Sequence, residues 1–316
     1  MLITQHDYRL GNTPITYATN NQKDINMQIP DNIRKCVAFI AHLDKNDKIV
    51  LKGTGFFVSM LSDDQSMYFT YLVTARHVIA NIIAKNLAKD NHIWIRINKK
   101  DGEYGYKRIH ISQFIPHPDS VDIMVTPILP DPIYDFLSLP HTMFLTQNAI
   151  DSQQIGLGDD VFMTGLFVRH AGKERNTPIV RIGNISAMPE EQVYSKAFGN
   201  MDAYLIELRS LGGLSGSPVF LYLANPRIIK GNSTILHGGH QFYLLGLLHG
   251  HWDLHSATQD VVTEDYQQEN KDKINTGIGI AVPAMKILET LNQPSLKEPR
   301  DKAIQEEKDR TAPTED

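Results

Sequence analysis

Hydrophobic positions along the chain fall into runs that are separated by glycine, proline and small polar residues. Such runs, whether continuous or alternating with polar positions, are typical of β-strands. In the first half they lie at 36–43, 48–60, 67–74, 92–98, 106–112 and 121–128. After a proline-rich crossing, a second series lies at 142–146, 160–168, 178–187, 203–208, 217–223, 241–249 and 277–282. The pattern predicts two β-rich halves.

Two stretches depart from the strand pattern and predict helices. Across 75–88 the apolar residues recur mostly on one helical face, and Thr74 stands where an N-cap would. Near the C-terminus, Ile287 and Leu291 belong to an apolar face that follows Pro283, a residue suited to the start of a helix. We expect one helix within the first half and a C-terminal helix that closes the second.

These features divide the chain into four parts. We expect a polar N-terminal extension at 1–33, a first lobe at 34–130 and a second lobe at 131–292. Many short strands favour a barrel or a sandwich, and two such halves suggest paired barrels with a cleft between them. Residues 293–316 carry mixed charge and little apolar surface, so we expect a disordered tail. The polar stretch 256–275 predicts a long exposed loop.

Composition narrows the class of protein. The 316 residues are 41% hydrophobic and 21% charged, as in ordinary globular proteins, and the net charge of −5 gives no basic excess for nucleic acid. The single cysteine, Cys36, excludes an internal disulfide, and its apolar neighbours predict a buried strand thiol. No apolar run approaches the ~18 residues of a membrane span, and no leader is evident. We expect a cytoplasmic protein without membrane or nucleic-acid partners, and the sequence indicates no oligomeric state.

The segment GGLSGSPVF (212–220) has the pattern of a nucleophile turn. Glycines on both sides of Ser215 permit a turn that aims the N–H groups of Gly213 and Ser215 at one point beside the hydroxyl. This arrangement predicts a serine nucleophile with an oxyanion hole. The alternative interpretation is an ordinary turn before the strand at 218–223.

Two further segments supply the groups that a serine nucleophile needs. The run YLVTARHVI (71–79) places His77 at the start of the predicted helix, and HPDSVDIMV (117–125) places Asp122 among apolar residues, where a carboxylate needs a partner. The order His, Asp, Ser matches the chymotrypsin arrangement and differs from that of α/β-hydrolases. The separations of 45 and 93 residues also equal those of the chymotrypsin triad.

Four blocks of sequence together resemble trypsin-like, chymotrypsin-fold serine proteases of the single-chain bacterial kind. These blocks are GTGFFVS (53–59), LVTARHV (72–78), DSVDIMV (119–125) and GGLSGSPVF (212–220), and the resemblance extends roughly over 35–292. It implies an all-β fold of two six-stranded antiparallel barrels, with the active site in the cleft between them and a C-terminal helix.

The resemblance also implies a role for each residue that matches the family motifs. His77 matches the general base, Asp122 the carboxylate that orients it, and Ser215 the nucleophile, with Gly213 and Ser215 as the oxyanion pair. No cofactor is needed, and the substrate would be a protein or peptide. Leu214 stands where the digestive enzymes have an Asp that pairs with a newly cut N-terminus, so we expect activity without N-terminal cleavage.

Specificity is indicated by residues on either side of the nucleophile turn. Arg209 stands six residues before Ser215, where the family places the floor of the primary pocket, and a guanidinium there would favour an acidic residue before the scissile bond. His249 and Gly250 match the substrate-binding strand. Two alternatives stay open: Arg209 points outward, or a one-residue offset turns His249 toward Asp122.

Other functions remain compatible with the sequence. An esterase would use the same acyl chemistry, and a protease-fold binding module would leave the triad idle while the loop at 256–275 and the tail recruit partners. Five of the 13 histidines lie within 237–255, but they have neither cysteine neighbours nor a fixed helical spacing. We predict no metal site.

Overall fold

The structure is a computed structural model that describes residues 29–208, 213–223, 241–255, 261–263 and 273–311. Most of the predicted extension at 1–33 and of the predicted loop at 256–275 lies outside these residues. Strands are the most frequent secondary structure of the described chain and are arranged in two lobes, with two helices at the C-terminal end. Among the described residues, no helix is both long enough and apolar enough to cross a membrane.

The first lobe is one mainly antiparallel sheet with a helix beside it. Its elements are β1 (Val37–Leu43), β2 (Ile49–Leu61), β3 (Tyr68–Thr74), α1 (Arg76–Ala84), β4 (His92–Asn98), β5 (Tyr104–His110), β6 (Ile115–Pro116), β7 (Met124–Pro127) and β8 (Leu139–Pro140). The strand order is β5-β4-β1-β2-β3-β7-β6. β8 lies beyond the predicted boundary at 130 but pairs in parallel with β2 of this sheet.

The second lobe contains a closed barrel. Its elements are α2 (Gln147–Gln153), β9 (Asp160–Gly165), β10 (Ile179–Ala187), β11 (Val193–Ser195), β12 (Gly199–Met201), β13 (Tyr204–Glu207), β14 (Pro218–Leu223), β15 (Gln241–His255), β16 (Val261–Thr263), β17 (Lys273–Pro283), α3 (Ala284–Leu291) and α4 (Pro294–Thr311). Six strands follow the order β14-β9-β10-β13-β17-β15, and pairing of β14 with β15 closes the ring. α3 begins directly after Pro283, which confirms the predicted C-terminal helix.

The prediction of two six-stranded barrels is therefore confirmed for one lobe only. In the first lobe the hydrogen-bonded path ends at β5 on one side and β6 on the other, and no strand pairing among the described residues joins these ends. β6 has only two residues and β7 has four, so this edge offers few backbone groups for closing a ring.

A shared hydrophobic core joins the two lobes. Phe57 of β2, Phe162 of β9 and Leu247 of β15 are fully buried members of one cluster that includes residues of both sheets. Phe162 stacks on Phe220 of β14 with ring centroids 4.9 Å apart. Burying a phenylalanine side chain contributes about 1.5–3 kcal/mol. The packing fixes the first sheet against the barrel, so residues on facing edges of the two lobes can form one site.

The start of α1 differs from the prediction. The apolar face, including Ile79 and Ile82, is buried as expected. The N-cap, however, is Ala75, which makes no side-chain cap. The hydroxyl of Thr74 instead donates to the carbonyl of Thr54 at 2.8 Å. Because that hydroxyl bonds across the sheet, it does not cap the helix.

Cys36 is fully buried, as predicted, although it ends a 3₁₀ turn at Asp31–Cys36 instead of lying within a strand. β1 begins at the following residue. Burial raises the pKa of the thiol strongly, because the thiolate would lose its hydration. The cysteine is therefore an apolar core residue with little nucleophilic character.

The C-terminal segment corrects the expectation of disorder at 293–316. Most of it forms α4, which is anchored by a buried arginine. Nη1 of Arg300 donates to the carbonyl of Leu291 at 2.8 Å and to the hydroxyl of Tyr71 at 3.1 Å. Leu296 is buried beside it. The sequence pattern failed here because one buried arginine and one buried leucine, and not a continuous apolar face, attach this helix.

Candidate active site

His77 and Asp122 form a buried pair at the edge of the first lobe. His77 lies in the first turn of α1, and Asp122 lies two residues before β7 with no exposed surface. The backbone N–H of His77 donates to Oδ1 of Asp122 at 2.8 Å, and Nδ1 of the ring lies 2.7 Å from Oδ2. Two hydrogen bonds therefore fix the ring relative to the carboxylate.

The surroundings of Asp122 favour its ionised form. Burial by itself would raise the pKa of the carboxyl group, but the attraction of His77 and His249 and the hydrogen bonds from both rings hold that pKa well below its usual range. An ionised carboxylate only accepts hydrogen bonds. Nδ1 of His77 is therefore the donor of this hydrogen bond, which leaves Nε2 as the ring nitrogen that can act as a base.

His249 is bound to the same carboxylate from the second lobe. Its Nδ1 lies 2.5 Å from Oδ2 of Asp122, and its ring packs edge-on against that of His77 with centroids 5.6 Å apart. This contact corresponds to the alternative orientation that the sequence left open. Gly250 is buried in β15 opposite Ile280. The role of His249 and Gly250 in substrate binding stays a prediction.

The turn that carries Ser215 is fastened to the first lobe by Thr54 of β2. The backbone N–H of Thr54 donates to the carbonyl of Ser215 at 3.0 Å, and its hydroxyl donates to the carbonyl of Gly213 at 2.9 Å. Gly216 donates to the carbonyl of Leu248 at 2.8 Å. Positive φ angles of 93° at Gly213 and 84° at Gly216 allow the chain to turn between these contacts.

The Ser215 turn lies against the start of the helix that carries His77. A Cβ atom at Gly216 would stand 2.7 Å from the hydroxyl oxygen of Thr74 and 3.0 Å from the backbone nitrogen of Ala75, two residues before His77. Nε2 of His77 is buried and makes no hydrogen bond within the described residues, so the Ser215 hydroxyl is not bonded to it in this state. Catalytic hydrogen bonds are often long before substrate binds.

The backbone near Ser215 has the groups expected of an oxyanion hole. Among the described residues, the N–H groups of Gly213 and Ser215 donate no hydrogen bond, and their role as the oxyanion pair stays a prediction. Leu214 between them is fully buried in the core of the second lobe. Arg209, the predicted floor of the specificity pocket, lies outside the described residues, and its role stays a prediction.

Two groups within the described part of the chain have the spacing of a metal site: His77, Asp122 and His249, and His117, Asp119 and Glu289. In the first group, the carboxylate already accepts from both imidazoles. In the second, Nε2 of His117 lies 3.1 Å from Glu289 and Nδ1 accepts from the backbone of Asp119. Hydrogen bonding accounts for both groups, and the absence of a metal site stays a prediction.

Sequence reasoning missed the part that Thr54 has in the site. Besides its bonds to Ser215 and Gly213, the Thr54 hydroxyl accepts from the backbone of Leu166 at 2.8 Å, and its carbonyl accepts from Thr74. The side chain is fully buried. A polar residue between two glycines in an otherwise apolar strand was the available signal, because a buried hydroxyl requires partners.

Comparison with known proteins shows a likeness of fold only. No protein-family model and no curated protein matches the sequence. The chain is similar to Deg5, at 14% identity and a TM-score of 0.45, with 81% of this chain and 87% of that chain covered. It is also similar to the active form of the Rv3671c protease from M. tuberculosis, at 16% identity and a TM-score of 0.42, covering 87% and 93% respectively. An inactive form of Rv3671c is similar at 15% identity and a TM-score of 0.41, with 82% of this chain and 86% of that chain covered.

Both the identities and the TM-scores are low, so these likenesses carry no conclusion about the chemistry of this chain.

Proposed function

We propose that this chain is a serine endopeptidase in which His77, Asp122 and Ser215 act as a triad. The observation that carries the proposal is the pair of hydrogen bonds from His77 to a buried, ionised Asp122. These hydrogen bonds leave Nε2 of His77 as the basic atom. His77 lies in the first turn of α1, and the Ser215 turn packs against the start of this helix. A hydroxyl is a weak nucleophile unless such a base takes its proton.

The reaction follows from the roles of these groups. Oγ of Ser215 attacks the peptide carbonyl carbon while Nε2 of His77 takes the hydroxyl proton, and the N–H groups of Gly213 and Ser215 stabilise the resulting oxyanion. The C–N bond then breaks, and His77 returns the proton to the leaving amine. Water hydrolyses the acyl-enzyme in a second round of the same chemistry, which releases the acid and restores Ser215.

A fluorophosphonate probe tests the proposal, because it reacts rapidly only with an activated serine. We expect one label on wild-type protein, mapped to Ser215 by peptide mass spectrometry, and no label on S215A. The matched control is S217A, which removes a buried hydroxyl from the same turn and should be labelled like wild type. Absence of label on folded wild-type protein would favour the binding module with an idle triad.

The same protein distinguishes a peptidase from an esterase. Ester and amide substrates with the same acyl group share the attack on Ser215 and differ in their leaving groups. Cleavage of casein and of peptide amides by wild type, and not by S215A, supports an endopeptidase. Turnover of esters alone would favour an esterase.

A preference for Glu or Asp before the scissile bond is the finer part of the proposal. It rests on Arg209 at the position of the pocket floor, where a guanidinium would form charge-assisted hydrogen bonds with a carboxylate. Profiling with a peptide library should show dominant cleavage after acidic residues, and R209A should lower kcat/KM for these far more than for apolar ones. Dominant cleavage after Lys, Arg or large apolar residues would show that Arg209 points elsewhere.

A further inference from the structure

A second histidine on the candidate catalytic carboxylate is unexplained by a triad alone. His249 is fully buried, and its Nδ1 lies 2.5 Å from the oxygen of Asp122 that also bonds His77. Asp122 and His77 belong to the first lobe, whereas His249 belongs to the barrel that carries Ser215. The contact therefore joins the two halves of the site at the carboxylate.

We propose that His249 is a positioning residue that holds the Asp122 carboxylate from the second lobe and so fixes the orientation of His77. This inference rests on the proposed function. Asp122 accepts three hydrogen bonds, two from His77 and one from His249. Because both donors of His77 move with α1, the bond from His249 is the one that ties the carboxylate to the barrel.

The backbone of β15 is shaped to deliver this side chain. Leu248 pairs with Ala281 and Gly250 pairs with Ile280, so His249 is the extra residue of a β-bulge. Bulges bend a strand locally and re-aim one side chain, and they are common beside active sites. In a regular ladder the next residue after Leu248 would have its own partner on β17.

The surroundings of the ring restrict its movement. Its edge meets the ring of Phe198 with centroids 5.7 Å apart and the ring of His77 at 5.6 Å. An ionised Asp122 can only accept hydrogen bonds, so Nδ1 of His249 carries a proton just as that of His77 does. The structure therefore contains two imidazole N–H donors on one carboxylate oxygen.

Two substitutions at this position separate hydrogen bonding from packing. H249L removes the donor while keeping apolar bulk, and H249Q keeps an N–H donor. The control is H251Q, which alters a second buried histidine of the same strand. We expect H249L to lower kcat on the order of 10- to 100-fold with KM nearly unchanged, because the base is misplaced and not lost. H249Q should recover most of that loss, and H251Q should resemble wild type.

An NMR measurement tests the geometry without relying on activity. In wild-type protein with ¹⁵N-labelled histidine, we expect two far-downfield imidazole N–H signals, one from each ring on Asp122. H249L should retain only the signal of His77, and D122N should lose both. A single signal in the wild type would overturn the proposal.

The outcomes of the two experiments are distinguishable from failure of the proposed function. If the fluorophosphonate probe does not label wild type, the endopeptidase assignment fails, whereas the two N–H signals would still establish the shared carboxylate. Equal loss of kcat in H249L and H249Q would show that the ring acts by packing. A rise in KM at constant kcat would assign His249 to substrate binding. Either result overturns the positioning role.

Discussion

Replacing Gly216 with alanine should disturb the site more than a methyl group added elsewhere in the Ser215 turn, and the structure shows the cause. The added Cβ would stand 2.2 Å from the carbonyl oxygen of Thr54, 2.7 Å from the Thr74 hydroxyl and 3.0 Å from the nitrogen of Ala75. Two of these three atoms belong to the backbone, so rotation of a side chain cannot relieve the contacts. Either the turn or the start of α1 must move.

The expected cost has two parts. Alanine at a φ of 84° lowers the free energy of unfolding by about 1–2 kcal/mol, because the left-handed conformation is unfavourable for a residue with a Cβ atom. Overpacking against fixed atoms adds roughly 1–3 kcal/mol. G158A is the matched control, because Gly158 has a φ of 82° and nothing within 4 Å of its Cβ position. G158A should therefore lose only the conformational contribution to the free energy of unfolding.

Urea unfolding of G216A, G158A and wild type measures this difference. We expect G216A to lose about 2–5 kcal/mol of unfolding free energy and G158A about 1–2 kcal/mol. Because G216A displaces the neighbouring Ser215, its rate of labelling by the fluorophosphonate probe should fall on the order of 100-fold, while that of G158A stays at the wild-type level. Equal stability and equal labelling of the two variants would refute the contact argument.

Three further expectations concern the triad, the buried thiol and the C-terminal helix. H77A should lower kcat for peptide hydrolysis on the order of 10⁴- to 10⁶-fold, and D122N about 10⁴-fold by favouring the wrong tautomer, both measured against S215A as the background. Cys36 should resist iodoacetamide in the native protein and react fully in urea, because burial raises its pKa; rapid native alkylation would contradict this. R300M should cost about 1.5–3 kcal/mol by removing the hydrogen bonds that dock α4, with faster amide exchange confined to that helix as the check.

The local pattern of apolar and polar residues was sufficient to predict most of the secondary structure. Alternating apolar runs predicted the longer strands of both lobes, and the helical face with Ile79 and Ile82 predicted α1. The prediction of a strand at 142–146 was wrong, because the chain forms a 3₁₀ turn at His141–Met143 there instead. The candidate catalytic side chains could be chosen from the sequence, because a carboxylate such as Asp122 among apolar neighbours needs a partner. These features depend on residues close together in the sequence, so their periodicity and burial preference can be identified from the sequence alone.

Contacts between distant segments decided the remainder. Thr74 was predicted to cap a helix, but its hydroxyl bonds Thr54 on the neighbouring strand. The tail was predicted to be disordered, but Arg300 fastens α4 to Tyr71, which lies 229 residues earlier. Closure of the barrel depended on β14 meeting β15, whereas no pairing within the described part of the chain closes the first sheet.

The direction of His249 shows why such features cannot be obtained from the sequence by itself. Alternation along a strand assigns each residue to a face, but one extra residue in a bulge changes that assignment. The bulge exists only because β15 pairs with β17 in a particular register, with Leu248 opposite Ala281 and Gly250 opposite Ile280. The sequence determined that a histidine would stand near the site. The pairing of two strands about thirty residues apart determined that it would bond Asp122.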